Sequence, residues 1–401
     1  RFDHAFERMR DGYKDLLASA LRRRTIVLIF FALFVTGSVF LLPVIGEDFF
    51  PYVDSGQMRL HVLPPEGTRI EDSAQEFAKI EAEIRRALPP DDVSLIIDNI
   101  GLPTVGINLA YGDNATISNS DGDILIALKP GQKNTLKYTR LLRDDLRAHF
   151  PTDKFFFLSA NITNQILNFG LPAPIDVQVV GRDQKSNYQL ALALQDQMRA
   201  VRGAVDVHIR QQVSYPKLQI DVDRSKAEQL GLTQRDVANS MLISLSGSGQ
   251  TAPNEWLNPV NDVNYQVVVQ TPIRQNDTFT ALGRTPLTSP SGNATQLLDN
   301  LVHLHRGTAP IVVDHYAVQP VFDIFANVDR RDLGGVANDI KRLITAERRH
   351  LKPGSQVTLR GQAQTMQDSF FRLGLGIVFA MVLIYLLMAV NFQSWVDPFI
   401  I

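Results

Sequence analysis

The sequence predicts an α+β membrane protein in which two membrane-spanning helices bracket a large soluble domain of repeated βαβ units. Three observations predict it. Apolar residues concentrate in two uncharged blocks near the chain ends, Thr25 to Ile45 and Leu373 to Val390. Between the blocks, short β-type runs alternate with segments of helical periodicity. The βαβ order also occurs twice, and its second occurrence is interrupted by a long insertion.

Composition narrows the classes. The chain has 401 residues, 40 Lys+Arg against 42 Asp+Glu, and a formal net charge of −2. That balance gives nucleic acid no electrostatic footing. There is no cysteine, so disulfides and thiolate metal sites are excluded. No GxSxG, HExxH or P-loop pattern occurs, and no cofactor or catalytic residue is expected.

Each apolar block is long enough to cross the ~30 Å hydrocarbon core at 1.5 Å per residue. Arg22, Arg23 and Arg24 abut the first block, with Arg8, Arg10 and Lys14 upstream, whereas Glu47, Asp48 and Asp54 follow it. The positive-inside rule therefore places residues 1–24 in the cytoplasm and residue 46 onward outside. Residues 1–24 put Phe2, Phe6, Met9, Tyr13, Leu16, Leu17 and Leu21 on one helical face. This segment is either an amphipathic helix on the membrane surface or an ordinary linker helix. A second span over residues 370–391 returns the chain to the cytoplasm, and residues 395–401 read as the start of a further span. The chain is thus expected to be a fragment.

The first soluble unit covers residues 46–158. It shows strands at Met58 to Leu63, Val93 to Ile97, Asp123 to Leu128 and Lys154 to Leu158, with helices at Ile70 to Ala87 and Asn134 to His149. The second unit begins in 159–214, with a strand at Pro174 to Val180, a helix at Ser186 to Val201 and a strand at Val205 to Ile209. It resumes in 310–364, with a strand at Val318 to Val328, a helix at Leu333 to Leu343 and a strand at Gln356 to Arg360. Residues 215–309 form the insertion, whose Ser244 to Gly249 stretch is flexible in composition.

Four runs carry a family resemblance: LPVIGEDFFPYVDSGQM (Leu42 to Met58), PKLQIDVDRSKAEQLGLTQRDVANSM (Pro216 to Met241), PVFDIFANVDRRDLGGVANDI (Pro320 to Ile340) and YLLMAVNFQSWVDP (Tyr385 to Pro398). With these the chain resembles the second half of the resistance–nodulation–division (RND) efflux transporters, in particular the drug-exporting, hydrophobic-and-amphiphilic branch. The resemblance implies a periplasmic porter of two ferredoxin-like subdomains with an inserted α+β docking subdomain, in the bacterial inner membrane. It implies a proton-driven homotrimer that exports drugs, dyes and detergents with a periplasmic adaptor protein and an outer-membrane channel. The alternatives are an RND relative that exports lipid or metal cargo, and a membrane-anchored sensor without transport.

Candidate substrate-binding residues follow from two segments. Asp98 to Gly122 is a polar segment where the family carries a switch loop, and Ile97, Leu102, Val105, Ile107 and Leu125 are pocket-wall candidates. Core packing is the competing role for Ile97 and Leu125. Alternation along Phe155-Phe156-Phe157 puts Phe156 on the opposite face from its neighbours. Phe156 and Phe169 either line the cleft between the two units or pack in the core. Arg210, at a strand end beside the same cleft, either meets acidic or polar substrates or is a solvated surface arginine. No methionines cluster, which disfavours soft metal ions. His303 and His305 share a strand face, with His315 nearby, but as surface or core histidines rather than ligands.

Overall fold

The computed structural model describes residues 2–41, 45–50, 54–103, 115–131, 134–161, 165–166, 168, 170–249, 251–288 and 295–399. The chain divides into two compact units, one of residues Arg1–Gln211 with Val312–Ile401 and one of Gln212–Ile311.

The first unit opens with helices α1 (Phe2–Arg22) and α2 (Arg24–Leu41). Beyond Arg24, α2 carries no charge, and its apolar stretch Thr25–Ser38 is shorter than a full span. The first subdomain follows as β1 (Gln57–Leu63), α3 (Ile70–Ala87), β2 (Val93–Ile100), β3 (Gly122–Leu128), α4 (Thr135–His149) and β4 (Lys154–Leu158). Its antiparallel sheet has the order β2-β3-β1-β4, the ferredoxin-like arrangement.

Alternation decides which strand residues meet the helices. Met58, Leu60 and Val62 of β1 join Ile124, Ile126, Phe155 and Phe157 in a core closed by Phe77, Ile80 and Ile84 of α3 and by Leu142 and Leu146 of α4. Arg59 and His61 therefore point to the other face. So do Asp123 and Phe156, which lie opposite His61 on the two flanking strands. The β2–β3 pairing depends on Gly122, where a Cβ would fall on the Asn99 carbonyl oxygen and the Ile100 Cα. Gly122→Ala is expected to cost about 1–3 kcal/mol, the usual range for overpacking. Urea unfolding of the purified protein checks it, and an unchanged midpoint would show that the strand pair yields freely.

Asp153, in the turn before β4, is held above the usual carboxylate range, at about 6, first by burial and then by the Glu76 charge. A carboxyl whose pKa rises on folding destabilises the fold once ionised. The cost is absent below the unfolded value near 4 and fully present above 6. Asp153→Asn should therefore stabilise the protein at pH 7 by about 1 kcal/mol after allowance for solvent screening. Melting temperatures measured at pH 4 and pH 7 should show the gain at pH 7 alone.

The second subdomain starts with β5 (Ile175–Val180), α5 (Gln184–Arg199) and β6 (Ala204–Ile209). The Gln212–Ile311 unit then intervenes with β7 (Tyr215–Val222), α6 (Arg224–Gln229), α7 (Gln234–Ser246), β8 (Asn254–Leu257), β9 (Asn264–Val267), α8 (Phe279–Gly283), β10 (Pro286–Thr288), β11 (Thr295–Leu297) and β12 (Val302–Ala309). Strands β7 and β12 pair along their whole length. The unit has its own core, including Val237, Met241, Leu287, Leu298 and Leu301. A reciprocal Thr233–Asp236 capping box starts α7.

The second subdomain resumes with β13 (Asp314–Tyr316), β14 (Gln319–Val328), α9 (Leu333–Glu347) and β15 (Gln356–Arg360). Its sheet reads β13-β14-β5-β15, with β6 also paired to β14. Sequentially remote β14 thus lies between β6 and β5, repeating the ferredoxin-like order. Asp332 caps α9, and the segment after α2 is tied to the same end. Asp332 accepts from the Glu47 N–H at 3.0 Å, and Asp48 accepts from the Leu333 N–H at 2.8 Å.

Helix α10 (Gln362–Phe392, 31 residues) follows β15. It is the one helix among the described residues long and apolar enough to cross a membrane. At 1.5 Å per residue it measures about 46 Å, more than a bilayer core needs. Its first turns are buried at Ala363 and Met366. One continuous rod thus joins the second sheet to the apolar stretch.

Candidate functional site

The helix-free face of the first sheet carries a buried ionic cluster. His61 is 1% exposed, with a carboxylate on each side of its ring. Nδ1 lies 2.7 Å from Asp123 Oδ1, and Nε2 lies 3.3 Å from Asp121 Oδ2. Burial alone would lower the imidazole pKa. The hydrogen bonds and charges of Asp121 and Asp123 outweigh it and raise the value to about 9. Asp123 is opposed by burial, but His61 and Arg59 hold it below the usual carboxylate range. Its Oδ2 accepts from Arg59 Nη2 at 2.5 Å and Nε at 3.1 Å. Asp121 is fixed by its own turn, accepting from the Ile117 and Ser118 N–H groups at 2.8 and 2.7 Å.

The second sheet meets this cluster through an aromatic stack. Phe156 lies between His61, at 4.5 Å between centroids, and His208 of β6, at 3.7 Å. His208 is pushed down to about 4, chiefly by burial, and is neutral at pH 7. Its Nδ1 is 2.7 Å from the Asp206 carbonyl oxygen, so Nδ1 carries the proton and Nε2 keeps a lone pair. A cavity of about 20 Å³ adjoins the stack, lined by His61, Asp121, Phe156, His208, Arg210 and Phe325 among others. That is room for about one water molecule.

Next to the stack, the two subdomains are joined by ion pairs. Asp206 sits in a left-handed backbone conformation (φ 55°), beside the register shift between β6 and β14. Such irregularities re-aim a side chain. Here the carboxylate meets Arg143 of α4 fork to fork, at 2.8 and 2.9 Å. Arg140 pairs with Asp329 at 2.7 Å. Asn327 donates to the Phe157 carbonyl at 2.6 Å. A wider cleft of about 340 Å³ opens here, lined among the described residues by Arg59, Arg140, Arg143, Arg330 and Arg331 and by two aspartates, Asp48 and Asp329.

The residues singled out in the sequence fall in different places. Ile97 and Leu125 are paired partners on the helix-free face, 46% and 39% exposed, and so outside the helix-packed core. Leu102 is half-buried. Val105, Ile107 and Phe169 lie outside the described residues. Phe156 is buried in the inter-sheet stack rather than against the helices. Arg210 also borders the small cavity, but its Nε donates to Asp314 at 3.0 Å. An acidic ligand would have to compete with that pair. His303 and His305 are exposed on β12 in the other unit.

Sequence reasoning missed His61, Asp121, Asp123, Arg59 and His208. The available signal was the break of an apolar strand by Arg59 and His61 in MRLHVL, matched by Asp121 and Asp123 in DGDILIAL.

Asp121 and Asp123 offer carboxylate oxygens and His208 an imidazole nitrogen, groups that suit borderline divalent ions rather than soft ones, whereas His61, held charged between two carboxylates, offers no lone pair. Their oxygens do not converge, because the carboxylates lie at opposite edges of the His61 ring. Among the described residues, the group whose three ligand atoms do converge is Glu83, Asp145 and His149. There Arg86 already engages Glu83, and His149 Nδ1 is 2.9 Å from the Asp145 carbonyl oxygen.

The model of the AcrB/AcrD/AcrF family matches residues 1–401. The chain belongs to the AcrB/AcrD/AcrF family. Among curated members, it is 22% identical over 399 residues to the cation efflux system protein CzcA of Alcaligenes sp., covering 97% of this chain and 36% of that protein. It is 24% identical over 236 residues to the cation efflux system protein CusA of Escherichia coli, covering 58% of this chain and 22% of that protein. The crystal structure of a heavy metal efflux pump superposes with a TM-score of 0.75 at 24% identity, covering 94% of this chain and 37% of that one. The chain thus covers between 22% and 37% of the length of these relatives. The RND resemblance stands at the level of the family and of its porter fold. The drug-exporting branch does not follow from these relatives, which are named for cation and heavy-metal efflux.

Proposed function

We propose that this chain is a portion of an inner-membrane RND efflux transporter subunit whose cargo is a borderline divalent metal cation such as zinc or cobalt. The cation would be handled where the two subdomains meet. The observation that carries the cargo reading is the buried His61–Asp121–Asp123 cluster with His208 across the stack. It is a buried acidic cluster beside the small cavity, with an imidazole nitrogen across the stack, in a chain whose relatives are named for cation efflux. The buried methionines Met58, Met198 and Met366 form no thioether group there, which argues against copper(I) or silver(I). In this reading α10 and the apolar part of α2 bracket the porter in the membrane, and the Gln212–Ile311 unit docks against an adaptor protein and an outer-membrane channel. The assembly is a homotrimer, and an ion gradient supplies the energy. No catalytic step on a substrate is involved.

A second reading, export of amphiphilic compounds, is favoured by the size of the wider cleft. A volume of about 340 Å³ falls in the range that holds a drug-sized molecule. Growth inhibition of a strain lacking the full-length gene separates the two. The cation reading expects new sensitivity to zinc or cobalt, restored by the wild-type gene and not by Asp121→Asn made in equal amount. Sensitivity confined to dyes and detergents would replace it with the amphiphile reading.

A further inference from the structure

We propose that Asp176 and Asp323 form a proton-binding site on one face of the second sheet, and that loss of the proton draws Arg360 off Tyr316 and Gln364 onto Asp176. The inference goes beyond the cargo reading and is independent of which cargo is carried.

Register assembles the site. Asp323 of β14 lies opposite Gln178 of β5, and Arg360 of β15 lies opposite Asp176 of β5. Alternation puts these residues on the face away from the buried Val177, Val179 and Ile324. Asp176 is fully buried and Asp323 nearly so. Their carboxyl groups converge on a single donor, Gln178 Nε2, at 2.9 and 3.0 Å. Gln211 also donates to Asp323, at 2.7 Å.

The decisive observation is an ion pair that has not formed. Arg360 is the register partner of Asp176, yet its Nη2 donates to the Tyr316 hydroxyl at 2.6 Å and its Nη1 to Gln364 at 3.4 Å. The buried Arg360 Nε and the buried Asp176 Oδ1 both lack a hydrogen-bond partner. An ionised carboxylate opposite a guanidinium with a free N–H would take a charge-assisted hydrogen bond. A protonated Asp176 exerts no such pull. Burial, and after it the Asp323 charge, holds Asp176 well above the usual carboxylate range. Asp323 is raised as well, first by burial.

Charge balance agrees. Among the described residues, the charged groups that face the pair are Arg360 of β15, Arg210 at the end of β6 and Asp314 of β13. Arg210 is engaged by Asp314 at 3.0 Å. With Arg360 turned away, two ionised carboxylates on neighbouring strands would repel each other, and one proton relieves this. When the proton leaves for water, Arg360 supplies the missing counter-charge. Its move gives up the Tyr316 hydroxyl at the end of β13 and Gln364 in the first turn of α10. Proton loss thus frees the start of the helix that is long and apolar enough to cross a membrane.

Infrared spectroscopy of the purified full-length protein, titrated from acidic to alkaline pH, reads the protonated carboxyl directly. A carbonyl band present at neutral pH and lost at alkaline pH should be absent from Asp176→Asn. Where that variant does not fold, Asp323→Asn serves. Removing the like charge should lower the proton affinity of Asp176 about tenfold. Tyr316→Phe removes the hydroxyl that competes for Arg360 and keeps the ring against its guanidinium. It should lower the proton affinity about tenfold, the worth of one hydrogen bond to a charged group. Arg360→Gln removes the incoming cation and should raise the affinity about tenfold. No carboxyl band altered by either aspartate substitution overturns the proton site, and the exchange with it. A titrating band unmoved in Tyr316→Phe overturns the exchange, because a fixed arginine would not register the loss of its partner.

Discussion

Asp206→Ala is expected to destabilise the two-sheet unit by about 3–5 kcal/mol, the cost of breaking a buried ion pair from one side. Asp206 is 4% exposed and serves both subdomains. It accepts from Arg143 at 2.8 and 2.9 Å, from Asn327 at 3.1 Å and from the Phe157 N–H at 3.3 Å. Alanine would leave the Arg143 guanidinium, 10% exposed, without its main partner. Its remaining contacts are Asp329 at 3.9 Å and the Phe157 ring at 5.3 Å. Alanine also tolerates a left-handed backbone less well than aspartate. Asp206→Asn keeps an acceptor and that conformation, and should cost about half as much. Urea unfolding of the purified protein measures both. A loss below about 1 kcal/mol for alanine would mean that the pair is worth no more than a surface one.

Phe156→Ala should cost a similar amount, about 3–5 kcal/mol, by the usual scale for a phenylalanine removed from a packed interior. Phe156 is 5% exposed and bridges two sheets rather than filling one core. Its ring lies against a charged imidazole on one side and a neutral one on the other. Removing it separates the consequences of packing from those of function. It loosens the contact between the subdomains and leaves open space between His61 and His208. Phe156→Leu should recover roughly half of the stability without the stack. Equal protein levels with an altered cargo profile would place Phe156 at the cargo path. A fall in protein level alone would make it a structural bridge.

How legible this site was in sequence depends on the range of each interaction. Strand alternation is local, so the inward set Met58, Leu60 and Val62 and the outward turn of Phe156 follow from the residues themselves. Both βαβ repeats could be read across the insertion because each helix keeps its own apolar stripe. The partners of the outward residues could not. His61 finds Asp121 and Asp123 only through the β1–β3 register, and Phe156 finds His208 only once two sheets are packed. Arg210 looked free at a strand end, yet Asp314, 104 positions away, pairs with it. The long polar segment before Gly122 drew attention to its apolar members. The residue that reaches the cluster from it is Asp121, held by a local turn that composition does not reveal. The proposed cargo class was hidden for a related reason. The runs that carry the family resemblance build helix ends and strands, whereas the polar groups around the small cavity are a few isolated side chains.

Cell-associated zinc is the most direct measure of the central claim, that a divalent cation is exported through the cleft beside His61, Asp121 and Asp123. Cells lacking the full-length gene would be loaded with zinc and compared after complementation with wild type or with Asp121→Asn at equal protein level. The account predicts lower retained zinc with wild type, and retention with Asp121→Asn close to that of cells without the gene. Equal zinc in all three would contradict it.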